Sequence, residues 1–149
     1  MGGAATELSR TSVMLVEDHE MARRSIRMLL ASDSSLSLIR EITDGEEAVK
    51  AAAEMRPAVV LMDISLPGIS GIEAARQIRR SSPEARLIFV SQHDAPAIVR
   101  EALGIGAQGY VVKSDAGQDL LAAIRTTGAG KTFLSRSLRR EMPSSVPEA

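Results

Sequence analysis

Five side chains are of types that could do chemistry together, and each stands at the end of a short apolar run. Glu17 and Asp18 follow Val13–Val16, Asp63 follows Val59–Met62, Ser91 follows Leu87–Val90, and Lys113 follows Gly109–Val112. Three carboxylates gathered in one place repel: a unit-charge pair near 4 Å is worth about 4 kcal/mol at an effective dielectric of about 20. Such a set needs a cation, and oxygen donors select a hard divalent ion such as Mg2+, which keeps several waters and binds through one or two carboxylates plus a phosphate. The chemistry this points to is phosphoryl transfer. A carboxylate can act as a nucleophile and form an acyl phosphate. The spread negative charge of that transition state needs a metal and a cation. Lys113 is a compact point charge suited to a phosphoryl oxygen, and the Ser91 hydroxyl can donate to another.

These residues meet only if the runs before them are strands of one sheet. Val13–Val16, Val59–Met62 and Leu87–Val90 are continuously apolar, the mark of strands covered on both faces in a parallel sheet. Leu36–Ile42 contains Ser37 and Arg40 and reads as an edge strand; Gly109–Val112 is the fifth. Helical patterns lie between. Ala22, Ile26, Leu29 and Leu30 recur at helical spacing. Asp44 to Glu47 open a second helix with acidic residues where the helix dipole favours them, and Pro57 closes it. Ser70 with Glu73 makes a capping box for a third, Pro96 suits the first turn of a fourth, and Leu120, Leu121 and Ile124 mark a fifth ending near Gly128. Strand and helix alternate five times, which predicts a doubly wound α/β domain with a parallel sheet. In such sheets ligands sit beyond the carboxyl ends of the strands, where the five reactive side chains fall.

Composition narrows the function classes. The 149 residues are 44% apolar and 25% charged with a net charge of −1, so no global charge draws the chain to nucleic acid or anionic lipid. Cysteine is absent, which excludes disulfides and thiolate chemistry and fits a cytoplasmic setting. No apolar run reaches the roughly 18 residues of a membrane span. Aromatics are 2%, too few for a base-stacking surface. Residues 1–11 read as a flexible arm, 12–134 as the folded domain, and 135–149 as a linker or tail too short to hold a DNA-binding domain.

Four stretches carry a family resemblance: Val16-Glu17-Asp18-His19; Leu61 to Gly68 with Gly71 following; Phe89-Val90-Ser91; and Gly106 to Lys113. All four in order resemble the receiver domain of two-component response regulators of the NarL–LuxR type, over about Ser12 to Leu134. The resemblance implies a flavodoxin-like five-stranded sheet in the order 2-1-3-4-5 with five flanking helices. It implies Asp63 as phosphoacceptor, Asp18 as a direct Mg2+ ligand, Glu17 as a ligand direct or through water, and the Ser65 backbone carbonyl as a further one, with Mn2+ able to substitute. Ser91 would be the switching hydroxyl, Lys113 the phosphate-bridging cation and Tyr110 the aromatic that changes rotamer. A sensor histidine kinase is the implied partner, with a homodimer and, through an output domain, DNA; no membrane partner is expected. Glu17 replaces the commoner Asp, and Ser91 the commoner Thr.

Rival readings fare worse. A phosphohydrolase of the haloacid dehalogenase type would want an acid two residues past Asp63, where Ser65 stands. A nucleotide binder would want amide donors after the first strand, where Glu17 and Asp18 repel phosphate. Arg136, Arg139 and Arg140 are a thin patch without a groove-reading helix. His19 and His93 read as surface residues, His93 and Ser65 as neighbours of the phosphate able to tune its lifetime. Met21 and Met28 form a second stripe on the first helix, suited to boundary packing or to docking a kinase.

Overall fold

Val59-Val60-Leu61-Met62 offers apolar side chains to both faces of a strand, and such a segment is stable only where both are covered. The computed structural model, which describes residues 9–142, places it at the centre of a sheet. Six strands, β1 (Thr11–Val16), β2 (Leu36–Ile42), β3 (Val59–Met62), β4 (Arg86–Ser91), β5 (Gly109–Val112) and β6 (Phe133–Leu134), pair in parallel in the order β2-β1-β3-β4-β5-β6. The helices are α1 (Glu20–Ala31), α2 (Gly45–Met55), α3 (Gly71–Ser81), α4 (Pro96–Gly104), α5 (Ala116–Gly128) and α6 (Arg136–Glu141), with a 3-10 turn over Lys113–Asp115 between β5 and α5.

Alternation along the strands sorts the core into two layers. Met14, Val16, Val60, Met62, Leu87, Phe89, Tyr110 and Val112 face α2, α3 and α4, meeting Ala48, Ala52, Ala75, Ile78, Val99 and Ala102. Val13, Leu15, Val59, Leu61, Ile88, Val90 and Val111 face α1 and α5, meeting Ile26, Leu30, Leu120, Ala123 and Ile124. Each such apolar side chain contributes about 1.5–3 kcal/mol on burial. β2 is the half-exposed edge, with a bulge where its register against β1 slips between Val13 and Met14.

Local chemistry fixes the helix ends as the residue types predict. The Asp44 carboxylate accepts from the Glu47 amide at 2.8 Å, and the Ser70 hydroxyl from the Glu73 amide at 3.2 Å. Pro96 sits in the first turn of α4. α2 stops at Arg56, which takes a left-handed backbone (φ 50°) just before Pro57, where a helical conformation is disfavoured.

Three expectations are corrected. Among the described residues the sheet has six strands and there are six helices where five of each were expected, and the segment from Ser135, read as a linker or tail, carries α6. Leu134, Leu138 and Met142, four residues apart, bury 96% or more of their surface in the α2–α4 layer, and that burial pins a segment otherwise rich in arginine. Thr11, assigned to the arm, already opens β1. The rest of the arm (residues 1–8) and the tail beyond Met142 lie outside the described residues.

Candidate functional site

The strand order reverses between β1 and β3, and there a crevice opens at the carboxyl ends of the strands. Val16 pairs with Met62, so Glu17 and Asp63 leave the sheet side by side. Backbone bonds hold both in place: the Asp63 amide donates to the Val16 carbonyl at 3.0 Å and the Glu17 amide to Ile42 at 2.9 Å. β4 and β5 pair Ser91 with Val112, which sets Ser91 and Lys113 on the same edge.

α3 supports this edge from below. The Gly71 amide donates to the Ile64 carbonyl at 2.7 Å. A methyl group at Gly71 would fall onto the Asp63 carbonyl oxygen. The helix therefore approaches the backbone of the reactive aspartate as closely as only glycine permits.

The side chains converge as expected for four of the five residues. Lys113 Nζ lies 2.8 Å from Asp63 Oδ2 and 2.9 Å from Glu17 Oε1. Both carboxylates are buried, 2% and 1% exposed, whereas the Lys113 side chain keeps 20% of its surface. Burial alone would lower the Lys113 ammonium, but its hydrogen bonds to Asp63 and Glu17 outweigh that and hold it above the ordinary lysine value. Asp63 Oδ1 accepts from the Ser65 amide at 3.3 Å. Asp63 Oδ2 thus faces the Lys113 ammonium at 2.8 Å, with His19 Nδ1 4.0 Å away.

Ser91 and Tyr110 sit one strand away and form a second group. The Ser91 hydroxyl is fully buried and accepts from the His93 amide at 3.2 Å. Tyr110 is also fully buried, its hydroxyl donating to the His93 carbonyl at 2.6 Å and its ring 6.0 Å from that of Phe89. Burial pushes the Tyr110 hydroxyl up to about 12, with Ser91 acting in the opposite sense. The two groups are tied together by Ser65 Oγ and His93 Nε2, 2.7 Å apart.

Among the described residues, Glu17, Asp18, His19 and Asp63 have ligand atoms within 4.8 Å of one another, close enough to hold a metal. The donor set fits a divalent cation. Asp18 Oδ1 is buried without a hydrogen-bond partner; His19 Nδ1 stands 3.4 Å away, an ion-pair distance without hydrogen-bond geometry. A buried carboxylate oxygen with no donor is costly in a folded protein, and a bound cation would relieve it.

His19, read from the sequence as a surface residue, is exposed, but that reading did not set it among the acids. Its ring is 60% exposed, yet Nδ1 also lies 3.2 Å from Glu17 Oε2 and 4.0 Å from Asp63 Oδ2. The signal was present: a ligand-type side chain directly after two acids at a strand end. The Ser65–His93 contact had no such signal, since the two stand 28 residues apart.

A doubly wound parallel sheet whose switch point holds a buried aspartate, two further acids and one lysine defines a receiver-type α/β domain. The chain belongs to the response regulator receiver domain family, whose model matches residues 13–125. It is 35% identical over 137 residues to the response regulator UvrY of Escherichia coli K12, covering 92% of this chain and 63% of UvrY. It is 36% identical over 130 residues to the transcriptional activator protein ExaE of Pseudomonas putida, covering 87% of this chain and 61% of ExaE. The chain thus spans less than two thirds of these relatives. Among solved structures it resembles a LuxR-family two-component response regulator from Aurantimonas sp. SI85-9A1, with a TM-score of 0.86, 34% identity and coverage of 92% and 98% of the two chains. The isolated receiver domain of RcsB from Salmonella enterica serovar Typhimurium, solved with phosphomimetic BeF3−, gives a TM-score of 0.82 at 26% identity, covering 88% of this chain and 97% of that one. The receiver is of the NarL–LuxR type. No helix among the described residues is long and apolar enough to cross a membrane.

Proposed function

We propose that Asp63 is the phosphoacceptor of a cytoplasmic switch driven by a sensor histidine kinase. The observation that carries this reading is the pairing of a buried Asp63 with Lys113 at 2.8 Å beside the partnerless oxygen of Asp18. An Asp63 carboxylate oxygen attacks phosphorus, the phosphorus–nitrogen bond of the donor phosphohistidine breaks, and the imidazole leaves with the bond's electron pair and takes up a proton. Lys113, already oriented by Asp63 and Glu17, meets the charge on the transferred oxygens, and the Ser65 amide holds Asp63 in line. Glu17, Asp18, Asp63 and the Ser65 carbonyl would hold Mg2+ (Mn2+ can substitute), which supplies the remaining positive charge.

The new charge and acceptor oxygens on Asp63 draw the Ser91 hydroxyl. Ser91 and Tyr110 both bond to His93, so movement of one is felt by the other through the β4–α4 loop. Tyr110 is the rotamer-changing member of this switch, and phosphorylation biases a pre-existing equilibrium. Homodimerisation and control of transcription through a DNA-binding output domain are the downstream events, on the model of the longer relatives.

Kinase docking is placed on α1. Met21 and Met28 are 76% and 73% exposed on the same helix whose Ala22, Ser25 and Leu29 line a groove with Lys113 and Gly117. Methionine suits adaptable contact surfaces.

The test is labelling with acetyl phosphate, with and without Mg2+, read by intact mass. Wild type is expected to gain one phosphoryl group only with the metal, and Asp63→Asn none; labelling of Asp63→Asn at the wild-type rate overturns the assignment. A Met21→Glu, Met28→Glu double variant is expected to keep labelling by acetyl phosphate while losing transfer from the kinase.

A further inference from the structure

The ring of His19 is placed in a way that neither its sequence position nor its helix requires. His19 is the N-cap residue of α1, yet its side chain makes no capping bond. The backbone amide of His19 donates to Glu17 Oε2 at 3.0 Å, which folds the loop back over the acids. The imidazole follows, so that Nδ1 sits 3.2 Å from Glu17, 3.4 Å from Asp18 and 4.0 Å from Asp63.

These separations have a geometric meaning. Donors held about 2.1 Å from one ion stand about 3 Å apart when adjacent and about 4.2 Å apart when opposite. The spacings from His19 Nδ1 to the three carboxylates span that range; the 3.2 Å approach to Glu17 Oε2 is also a hydrogen-bonding one, so ligation requires the tautomer in which Nδ1 carries no proton. Glu17 and Asp63 share the Lys113 ammonium, while Asp18 Oδ1 has no partner. The donors facing the centre of the cup therefore include one nitrogen among the oxygens.

We infer that His19 is a nitrogen ligand, through Nδ1, of the dication held by this cup, and that it turns the site from Mg2+ toward first-row transition dications such as Co2+ and Ni2+. The inference rests on the metal-binding reading given above and goes beyond it in naming the ligand and the metal class. Mg2+ gains little from imidazole, being matched to oxygen, whereas Co2+ and Ni2+ bind it well. Replacing His19 should separate the two classes of ion, which loss of a carboxylate would not.

The experiment is calorimetric titration of the untagged chain with MgCl2, CoCl2 and NiCl2, together with the visible absorption of the Co2+ form, on wild type, His19→Ala, His19→Gln and Asp18→Asn. Both His19 variants are expected to lose about ten- to a hundredfold in Co2+ and Ni2+ affinity while Mg2+ affinity changes less than about threefold, and the Co2+ bands should move as a nitrogen ligand is lost. Asp18→Asn should weaken all three ions. If the His19 variants leave the Ni2+ to Mg2+ ratio at its wild-type value while Asp18→Asn abolishes binding, the inference fails and the metal site stands. If Asp18→Asn changes no affinity, the cup is not where metal binds, and both fall together.

Discussion

At the residue scale the cup is an arrangement with more negative charge than its one lysine can answer. Glu17 and Asp63 are nearly inaccessible to water, and Lys113 is the cation that touches both. Taking one partner out of a buried ion pair typically costs about 3–5 kcal/mol, because the remaining charge is stranded. Lys113→Met is therefore expected to lose stability in urea unfolding without divalent metal, by roughly that amount, and to recover part of it when Mg2+ is added. Asp18→Asn should do the reverse: it removes a carboxylate whose buried oxygen has no donor, so the metal-free protein should gain on the order of 1 kcal/mol while its stabilisation by metal disappears. Equal unfolding midpoints for wild type and Asp18→Asn, with the same response to Mg2+, would contradict this account. Because the folded-state value of Lys113 is raised, its contribution is fully present below the ordinary lysine value and is lost only in strongly alkaline solution. The cup should thus show no lysine titration near neutral pH.

At the element scale the sheet edge is only as accurate as the helix set against it. α3 begins with Ser70 capping the Glu73 amide and Gly71 bonded to Ile64 directly behind Asp63. Gly71→Ala forces the methyl group onto the Asp63 carbonyl, and overpacking of this kind costs about 1–3 kcal/mol. Its expected signature is a lowered thermal midpoint together with slowed labelling by acetyl phosphate, since the displaced backbone carries the nucleophile. Ser70→Ala, which removes only the cap, should cost about 1 kcal/mol and leave the labelling rate of the folded protein unchanged. How much of this was legible in the sequence differs by element. β1, β3 and β4 announce themselves because parallel strands covered on both faces must be apolar throughout, and their ends set out Glu17, Asp18, Asp63 and Ser91 along one edge; Lys113 joins them only through β5, a shorter run opened by Gly109. The caps at Asp44 and Ser70 are equally local and equally readable. β6 is not, for two residues, Phe133 and Leu134, carry no period of their own. α6 hides for the same reason: Leu138 and Met142 are buried on one stripe, but arginine dominates the residues around them. The orientation of His19 depends on a turn in the chain beyond β1, and spacing alone does not encode it.

At the scale of the whole molecule, the segment after α5 closes the far edge of the sheet and is held there by two carboxylates of the preceding turn and helix. Asp119, 4% exposed, accepts from the Arg136 backbone amide at 2.8 Å and from its guanidinium at 2.9 and 3.2 Å. Asp115 accepts from the Ser137 amide at 3.1 Å and its hydroxyl at 2.6 Å. Burial would raise both carboxyls, but Arg136 acting on Asp119, and Ser137 with Ser135 acting on Asp115, outweigh it and leave both below the ordinary aspartate value. A carboxyl held low in the folded state contributes stability that is complete above its unfolded value and is lost as pH falls through the folded one. Acid should therefore loosen β6 and α6 before it unfolds the sheet. Hydrogen exchange is the direct measure: between neutral pH and about pH 3, the amides of Arg136 and Ser137 should lose protection while those of Val60 and Leu61 keep theirs. Leu138→Ala, which empties an apolar site 1% exposed, should loosen the same segment at every pH, at a cost of about 2–5 kcal/mol to its docking. Asp119→Asn should loosen it at neutral pH and flatten the acid response, leaving Asp115 alone to titrate. Uniform loss of protection across Val60, Leu61, Arg136 and Ser137 on acidification would mean that the terminal segment and the central strands unfold as one unit, and that these two aspartates do not control its attachment.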